Sequence, residues 1–418
     1  MPDLPPPPPS ASAATLAPPP PPSVWRREPT GAWLVVLLGA LTTAGALSMD
    51  MYLPALPQLA TNFSVSESRS QLTITAFLLG LGLGQMLLGP LSDRWGRRRP
   101  AVAALGGYVA ASMVCAVAPS IDTLTAARVV QGTAAGAVIV IARAVVRDRY
   151  EGRRAAAYFS QLTLVFGVVP VLAPSLGGAV LRYTDWRGVF LVLAGIGLLL
   201  LVAAAVGLTE SLPPARRTAG ALRQTGSAFG TILRDRAFLG YLIALASTGA
   251  SIFCYISGSP FVLQRVYGAS PQTYGLLFGL NAAGFVVAGQ LNARLVHRVH
   301  PRRILGAALV AMAIAAVALV IAAQTHSLVG VEIPLLGFMT AFGFVLPNTM
   351  ALALDAHPDS AGSAAALLGM GQSAAGAVAA PLVGLVPAAG AMPMAAGMAG
   401  MAAVSLAAFA VASRFAHR

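Results

Sequence analysis

Ionisable side chains inside apolar stretches are the residues of this sequence that carry the most chemical meaning. Asp50 lies in the apolar stretch that ends near Pro54. Arg128 lies in another, with Gln131 three residues later on the same helical face. A carboxylate that is removed from water and lies beside an arginine can take up and release a proton. We therefore predict that Asp50 and Arg128 form a proton-coupling pair.

Asp50 and Arg128 have the same predicted depth. At a rise of about 1.5 Å per residue, each lies roughly 6–8 Å inside the same surface. Two alternatives stay open: Arg128 extends its side chain to the surface, or Asp50 stays ionised at the interface. Glu332, near the start of a later apolar stretch, is the competing carboxylate, although a helix N-terminus favours its ionised form. Arg143 is expected to reach the opposite surface.

The composition indicates which elements position these residues. Of 418 residues, 57% are hydrophobic and 10% are charged, and the mean hydropathy is +0.75. Soluble proteins have about 25% charged residues, so the chain is predicted to be a polytopic α-helical membrane protein. Its two cysteines, Cys115 and Cys254, lie in apolar stretches and cannot form a disulfide framework.

Apolar stretches of about 20 residues, the length that spans a bilayer, recur along the chain. They predict an all-α membrane protein with twelve transmembrane helices in two six-helix, pseudo-symmetric halves. We expect a disordered Pro-rich cytoplasmic tail (1–30), an N-terminal bundle (31–208), a cytoplasmic linker (209–237) and a C-terminal bundle (238–418). The predicted spans are 33–54, 71–91, 101–119, 124–146, 157–180, 188–208, 238–262, 273–294, 302–323, 328–350, 362–386 and 390–412.

The arginines orient the predicted helices. Clusters at 94–99, 147–154 and 216–236 fall in alternate loops, and arginine accumulates in cytoplasmic loops. This predicts a multi-pass protein of the bacterial cell (inner) membrane with both termini in the cytoplasm. The same scattered placement excludes nucleic acid as a partner, since nucleic-acid binding needs a basic solvated face. The expected surroundings are the lipid bilayer.

A degraded internal repeat relates the two predicted halves. The residues from Gly89 to Arg98 recur, in part, from Gly289 to Arg298. Six-helix repeats about an axis along the membrane normal are typical of one class of transporters, and chance similarity of two arginine-rich loops is the alternative.

Four stretches carry a resemblance to the major facilitator superfamily over residues 30–412. They are the loop signature from Gly89 to Arg99, the Arg128-x-x-Gln131-Gly132 sequence, the stretch from Ser48 to Pro54 that contains Asp50, and the Gly/Pro-rich stretch from Gly167 to Gly178, with Ala173 where the common form has Gly. The resemblance implies that Arg128 and Gln131 act in proton coupling. It also implies that Asp93 contacts the second half in one state and releases it in another.

The resemblance further implies a set of residues for conformational gating. Gly89 is expected to permit close helix approach, and two prolines to kink the fifth helix. Plain arginine-rich loop chemistry and an ordinary Gly/Pro-rich helix are the alternatives. The gating candidates are Gly89, Asp93, Arg94, Gly96, Arg97, Pro170, Pro174 and Gly178.

Further stretches resemble the bicyclomycin/chloramphenicol-resistance (Bcr/CflA) group of drug:proton antiporters. They begin at Asp50, Asp185 and Tyr255. The resemblance implies proton-driven efflux of small hydrophobic antibiotics by alternating access. Multidrug relatives that handle cations often carry a second acid where Thr42 stands here, so neutral drugs are favoured. Efflux of an endogenous metabolite or sugar by the same mechanism is the alternative.

The predicted pocket lies midway between the halves. The candidate substrate-binding residues, for each of which ordinary helix packing is the alternative, are Tyr52, Phe253, Tyr255, Asn281 and Asn348. The histidines lie in predicted loops or tails, and no metalloprotease or hydrolase motif occurs. We therefore expect no enzyme activity, no metal and no cofactor beyond the proton gradient. The expected partners are a small-molecule drug and protons, and the expected form is a monomer.

Overall fold

The structure, a computed structural model, describes residues 31–150, 152–214, 230, 232–355, 357, 361–384 and 390–415. The predicted tail, 1–30, and most of the predicted linker lie outside these residues. The domain boundaries therefore stay a prediction.

Twelve long helices dominate the described residues, which contain no β-strand. Eleven spans among these residues are long and apolar enough to cross a membrane. In the fifth of the long helices, the apolar stretch that the structure describes is Gly167–Val180. The helices are α1 (Gly31–Asp50), α2 (Glu67–Trp95), α3 (Arg98–Ala116), α4 (Ile121–Arg149), α5 (Gly152–Val180), α6 (Trp186–Gly207), α7 (Arg236–Phe261), α8 (Pro271–Leu295), α9 (Pro301–Ala322), α10 (Leu328–Asp355), α11 (Ala361–Val383) and α12 (Met392–Phe415).

Polar capping residues extend several helices beyond the apolar stretches that predicted them. Ser66 accepts a hydrogen bond from the backbone N–H of Arg69 at the start of α2, and Ser270 does the same for Thr273 at the start of α8. Such caps satisfy N–H groups that have no partner within the helix. After α1, the chain continues through a short turn (Leu53–Ala55) and an unnumbered helix (Leu56–Asn62).

Helix pairing repeats between the first half (α1–α6) and the second half (α7–α12). In the first half, α2 packs along α4, α3 along α6 and α1 against α5. The equivalent pairs α8 with α10, α9 with α12 and α7 with α11 pack in the second half. Between the halves, α5 packs on α8 and α2 on α11. The predicted fold of two six-helix, pseudo-symmetric halves is confirmed.

The contact between α2 and α4 depends on glycine. A Cβ on Gly80 or Gly84 would lie 2.1 or 2.0 Å from a backbone oxygen of α4, and one on Gly132 or Gly136 would lie 2.1 Å from a backbone oxygen of α2. The expectation that Gly89 permits a close approach is wrong. A Cβ there would meet only the Val140 side chain, at an ordinary 3.5 Å, because no backbone of α4 lies within 4 Å of that position.

Candidate functional site

A cavity of about 320 Å³ lies between the two halves. Its walls come from α1, α2, α4 and α5 of the first half and from α7, α8 and α10 of the second. The polar side chains in the lining are Asp50, Gln85 and Arg143. Such a lining suits a ligand that buries apolar surface and makes few hydrogen bonds. The aromatic side chains of the wall are Phe77, Phe253, Phe278, Phe285 and Phe342.

Asp50 is the last residue of α1 and borders this cavity with only 6% of its surface exposed. A helix C-terminus disfavours a negative charge, because the last carbonyl oxygens point toward it. Among the described residues, no arginine lies within the 4.0 Å that defines an ion pair with Asp50. Burial, the helix end and the missing cation together favour the protonated acid.

Arg128 is fully buried on α4, beside the end of α1. Its Nη1 donates hydrogen bonds to the backbone oxygen of Ser48, at 3.1 Å, and to Oε1 of Gln131, at 2.7 Å. The guanidinium lies 4.1 Å from the ring centroid of Phe77 and 4.9 Å from that of Tyr52. Aromatic faces stabilise a desolvated cation in this way. Within the described chain, Nε and Nη2 of Arg128 have no hydrogen-bond partner.

The predicted pair of Asp50 and Arg128 is close in depth but not joined in this structure. Arg128 reaches the carbonyl of Ser48, two residues before Asp50, and not the Asp50 carboxylate. The predicted coupling role of the two residues stays a prediction.

Gln131 continues the polar contacts of Arg128 into α3. Its Nε2 donates to Oγ of Ser112 at 2.7 Å, and Ser112 donates to the backbone oxygen of Tyr108. The Tyr108 hydroxyl in turn lies 2.6 Å from Oγ of Ser48. The network therefore links α4, α3 and α1. Tyr108 and Ser112 were not among the predicted site residues; the signal in the sequence was two polar side chains inside the predicted span 101–119.

Of the predicted pocket residues, only Phe253 belongs to the cavity lining. Tyr52 is buried and its hydroxyl lies 2.9 Å from Oγ1 of Thr73. Tyr255 accepts a hydrogen bond from Asn281, and Asn348 donates to Asn292. These four residues are packed between helices, which was the alternative considered for each. Their role in substrate binding stays a prediction.

Most residues that line the cavity are apolar, and an apolar residue type does not indicate whether the side chain faces a cavity or lipid. Phe77, Phe285 and Phe342 are indistinguishable in sequence from lipid-facing residues, because both environments are apolar. Arg143, expected to reach the membrane surface, lies in the cavity wall.

The predicted gating motif forms a charged cluster within the first half. Arg97 lies 2.7 Å from Asp93 and 2.8 Å from Asp148. Burial lowers the pKa of Arg97, but the hydrogen bonds and charges of Asp148 and Asp93 raise it above its ordinary value. Gly96 has a φ of 90°, a conformation that favours glycine. Arg94 is exposed.

The two halves are in tight contact at one end of the bundle, which we call the closed end and define by Pro54, 174–178 and 271–275. A Cβ on Gly178 or Gly275 would lie 2.6 Å from the backbone oxygen of Pro271 or Pro174, respectively. Gln272 donates to the Gly178 oxygen at 2.7 Å. Pro170, in contrast, lies in the cavity wall.

Further hydrogen bonds between the halves lie at the same end. Gln71 donates to the Ser257 oxygen at 3.0 Å and Gln264 to the Pro54 oxygen at 3.2 Å. Arg265 donates to the Pro57 oxygen at 2.7 Å. At the opposite end, which carries Arg97, none of the hydrogen bonds whose two partners the structure describes joins the halves.

Two pseudo-symmetric helix bundles around a shared cavity define a multi-pass membrane transporter. The chain belongs to the Major Facilitator Superfamily, whose profile matches residues 36–381. Proteins of this family are transporters rather than enzymes, and they need no cofactor. In the described part of the chain, no cluster of His, Cys, Asp and Glu could hold a metal ion.

Named relatives cover most of the chain. An uncharacterized MFS-type transporter of Bacillus subtilis, YdgK, is 38% identical over 84% of this chain and 88% of its own length. A bicyclomycin resistance protein homolog of Haemophilus influenzae is 28% identical over the same shares, 84% and 88%. The multidrug resistance protein MdtL of Klebsiella pneumoniae is 30% identical over 78% of this chain and 81% of its own. The resemblance to Bcr/CflA-type drug antiporters is confirmed.

The fold is also that of solved transporters. A bacterial homolog of the human lysosomal transporter Spinster, in an inward-facing and unoccupied conformation, superposes with a TM-score of 0.69. The alignment covers 93% of this chain and 96% of the other, with 18% identity.

Proposed function

We propose that this protein exports small, neutral, apolar drugs from the cytoplasm by alternating access, in exchange for protons. It does so as a monomer in the bacterial cell membrane, with both termini in the cytoplasm. The observation that carries the proposal is a cavity between the halves whose wall is apolar and aromatic and contains one carboxylate, Asp50.

In this account Asp50 is the proton carrier. The buried acid is neutral in the conformation described, because no cation lies within ion-pair distance. Two nitrogens of Arg128 have no hydrogen-bond partner among the described residues. A movement of α1 relative to α4 that brings Arg128 toward Asp50 would stabilise the carboxylate and release the proton. Gln131 holds the guanidinium in place during that exchange.

The arginine placement supports an inward-facing state. If the arginine-rich end is cytoplasmic, the closed end faces outward and the cavity is loaded from the cytoplasm. To open the cavity to the outside, α5 and α8 would have to separate at Gly178 and Gly275. The arginine-rich ends of the two halves would then have to come together. We propose that Asp93 then exchanges its contact with Arg97 for one in the second half.

The lining supports a neutral, apolar substrate. A sugar needs many hydrogen-bonding partners, whereas Asp50, Gln85 and Arg143 are the polar side chains in the described wall. A permanent cation would need a carboxylate beyond the proton carrier. The names of two relatives, a bicyclomycin resistance protein homolog and a multidrug resistance protein, support the same substrate class.

The experiment is a comparison of drug accumulation in cells that express the protein and cells that carry the empty vector. Chloramphenicol and bicyclomycin should accumulate less in expressing cells, and a protonophore should abolish the difference. Ethidium should accumulate equally in both. Robust ethidium export without any effect on either antibiotic would contradict the proposed substrate class, and protonophore-resistant export would contradict the proton coupling.

A further inference from the structure

A second carboxylate is buried in the second half, outside the described cavity wall. Glu332 is the fifth residue of α10 and has 7% of its surface exposed. Neither of its carboxylate oxygens has a hydrogen-bond partner among the described residues. A buried carboxylate that is ionised normally has cationic or N–H partners, because the cost of losing water is otherwise too high. Glu332 therefore needs a different explanation.

Asn281 of α8 supplies the neighbouring group. It is fully buried, lies within interaction distance of Glu332, and its Nδ2 donates a hydrogen bond to the Tyr255 hydroxyl at 3.1 Å. Its Oδ1 is buried without a partner in the described chain. Both side chains thus hold buried acceptor oxygens that have no donor in the described chain. A proton on Glu332 converts one of these acceptors into a donor.

Apart from the Asn281 amide, the described groups around Glu332 do not favour an anion. Tyr255 of α7 and Tyr274 of α8 are titratable side chains close enough to interact electrostatically with Glu332, and neither carries a positive charge. The described sequence of α11 has no titratable residue, and the arginines of α9, Arg302 and Arg303, lie at its opposite end. No described cation lies within 4.0 Å of Glu332.

We propose that Glu332 is a second proton-binding site, in which the protonated carboxyl donates a hydrogen bond to Oδ1 of Asn281. The proton gives one carboxylate oxygen of Glu332 and Oδ1 of Asn281 a shared hydrogen bond, and Nδ2 of Asn281 connects this bond to Tyr255. Tyr255 and Tyr274 also lie within electrostatic range of Asp50. The two acids therefore share neighbouring tyrosines across the interface of the halves. The site itself does not depend on the proposed drug export.

The opposing arrangement is an exchange of the amide atoms of Asn281. Its Nδ2 would then donate to an ionised Glu332, and its Oδ1 would accept from Tyr255. In that case Glu332 holds no proton.

Infrared difference spectroscopy of the purified full-length protein in lipid nanodiscs separates these arrangements. Neither drug nor gradient is present, so a failure of the export proposal does not affect the result. The protonated-carboxyl C=O band, identified by its shift in D₂O, should lose a component in Glu332→Gln at neutral pH. That component should remain in Asp50→Asn and in the surface control Asp122→Asn. It should shift in frequency in Asn281→Ala, because a hydrogen bond is lost.

An unchanged carboxyl band in Glu332→Gln would overturn the proposal, since Glu332 is then ionised. Thermal unfolding of each variant in nanodiscs checks that it is folded. If Glu332→Gln fails to fold, Glu332→Asp keeps the carboxyl group and should retain the component at a shifted frequency. If the protonated-carboxyl component is absent from both the wild type and a folded Glu332→Asp, the proposed site is also contradicted.

Discussion

The guanidinium of Arg128 donates to the side-chain oxygen of Gln131 at 2.7 Å, one helical turn away on α4. This bond leaves the planar group lying against the Phe77 ring, with Nε and Nη2 free of partners in the described chain. The arginine is therefore held by a neutral amide and an aromatic face, without a carboxylate. A cation held in this way remains available to a carboxylate that approaches it.

Arg128→Lys should reduce proton-driven transport by at least about tenfold, equivalent to about 1.4 kcal/mol. Lysine keeps the charge but lacks the planar group that contacts Gln131 and Phe77 together. The measurement is the initial rate of drug efflux, normalised to the amount of protein in the membrane. Arg69→Lys is the matched control, because Arg69 forms an exposed pair with Asp122. Equal rates in Arg128→Lys and wild type would contradict this role.

Gly84→Ala should destabilise the first half by about 1–3 kcal/mol, because its methyl group would meet the Thr133 backbone oxygen of α4. The free energy of unfolding in mixed detergent micelles measures the effect. Gly82→Ala, in the same helix, has no atom within 4 Å of the new methyl group. It should change the stability by less than about 0.5 kcal/mol. Similar losses in both variants would mean that close packing of α2 and α4 is not the cause.

The fold was predictable because hydropathy sets the length and number of membrane helices. The predicted span 124–146 differs from α4, Ile121–Arg149, by three residues at each end. The cause is that capping and snorkelling residues extend a helix into the interface. A span predicted from apolar residues ends before these polar residues begin. The nearness of Arg128 to the end of α1 was also predictable, since the constant rise per residue sets how far along its helix a residue lies.

The contacts within the site were less predictable. Whether Arg128 binds Asp50 or the Ser48 carbonyl depends on side-chain rotamers, which hydropathy does not encode. The close approach of α2 and α4 lies at Gly80 and Gly84 rather than at Gly89, because helix crossing decides which glycines face a neighbour. For the same reason, residue type and helix position selected Tyr52 for the pocket, although its ring is packed against Phe190.

Asp93→Asn should slow transport severalfold and leave drug affinity unchanged, because Asp93 lies far from the cavity wall in a cluster with Arg97. Arg97 keeps its contacts with Asp148 and Ser92, so the variant should remain folded. Equilibrium binding of chloramphenicol in detergent, compared with the efflux rate, separates the two effects. A tenfold loss of affinity would instead assign Asp93 to the binding site.

Gln272→Ala should weaken the closed end, because it removes the hydrogen bond to the Gly178 oxygen. One hydrogen bond contributes about 0.5–1.5 kcal/mol, so the outward-open population should rise by about two- to tenfold. The measurement is labelling of Ile256→Cys in the cavity wall by a membrane-impermeant thiol reagent added outside, after replacement of Cys115 and Cys254 by alanine. Unchanged labelling would contradict the assignment of this contact.

A suitable control for the labelling experiment is Gln324→Ala. Gln324 is exposed after α9, and its one hydrogen bond within the described residues is from its backbone N–H to the Ile321 oxygen. Loss of the Gln324 side chain should leave the labelling rate of the cavity cysteine unchanged. A higher labelling rate in Gln324→Ala would indicate a general loosening of the bundle.

Transport by Asp50→Asn in proteoliposomes shows whether Asp50 carries the proton. Asparagine has nearly the shape of the protonated acid but cannot exchange a proton. An imposed pH gradient should therefore drive chloramphenicol transport in the wild type and in Asp122→Asn, and should drive none in Asp50→Asn. Exchange of labelled for unlabelled drug without a gradient should persist in Asp50→Asn, because the cavity is intact. Gradient-driven accumulation at the wild-type rate in Asp50→Asn would contradict the account.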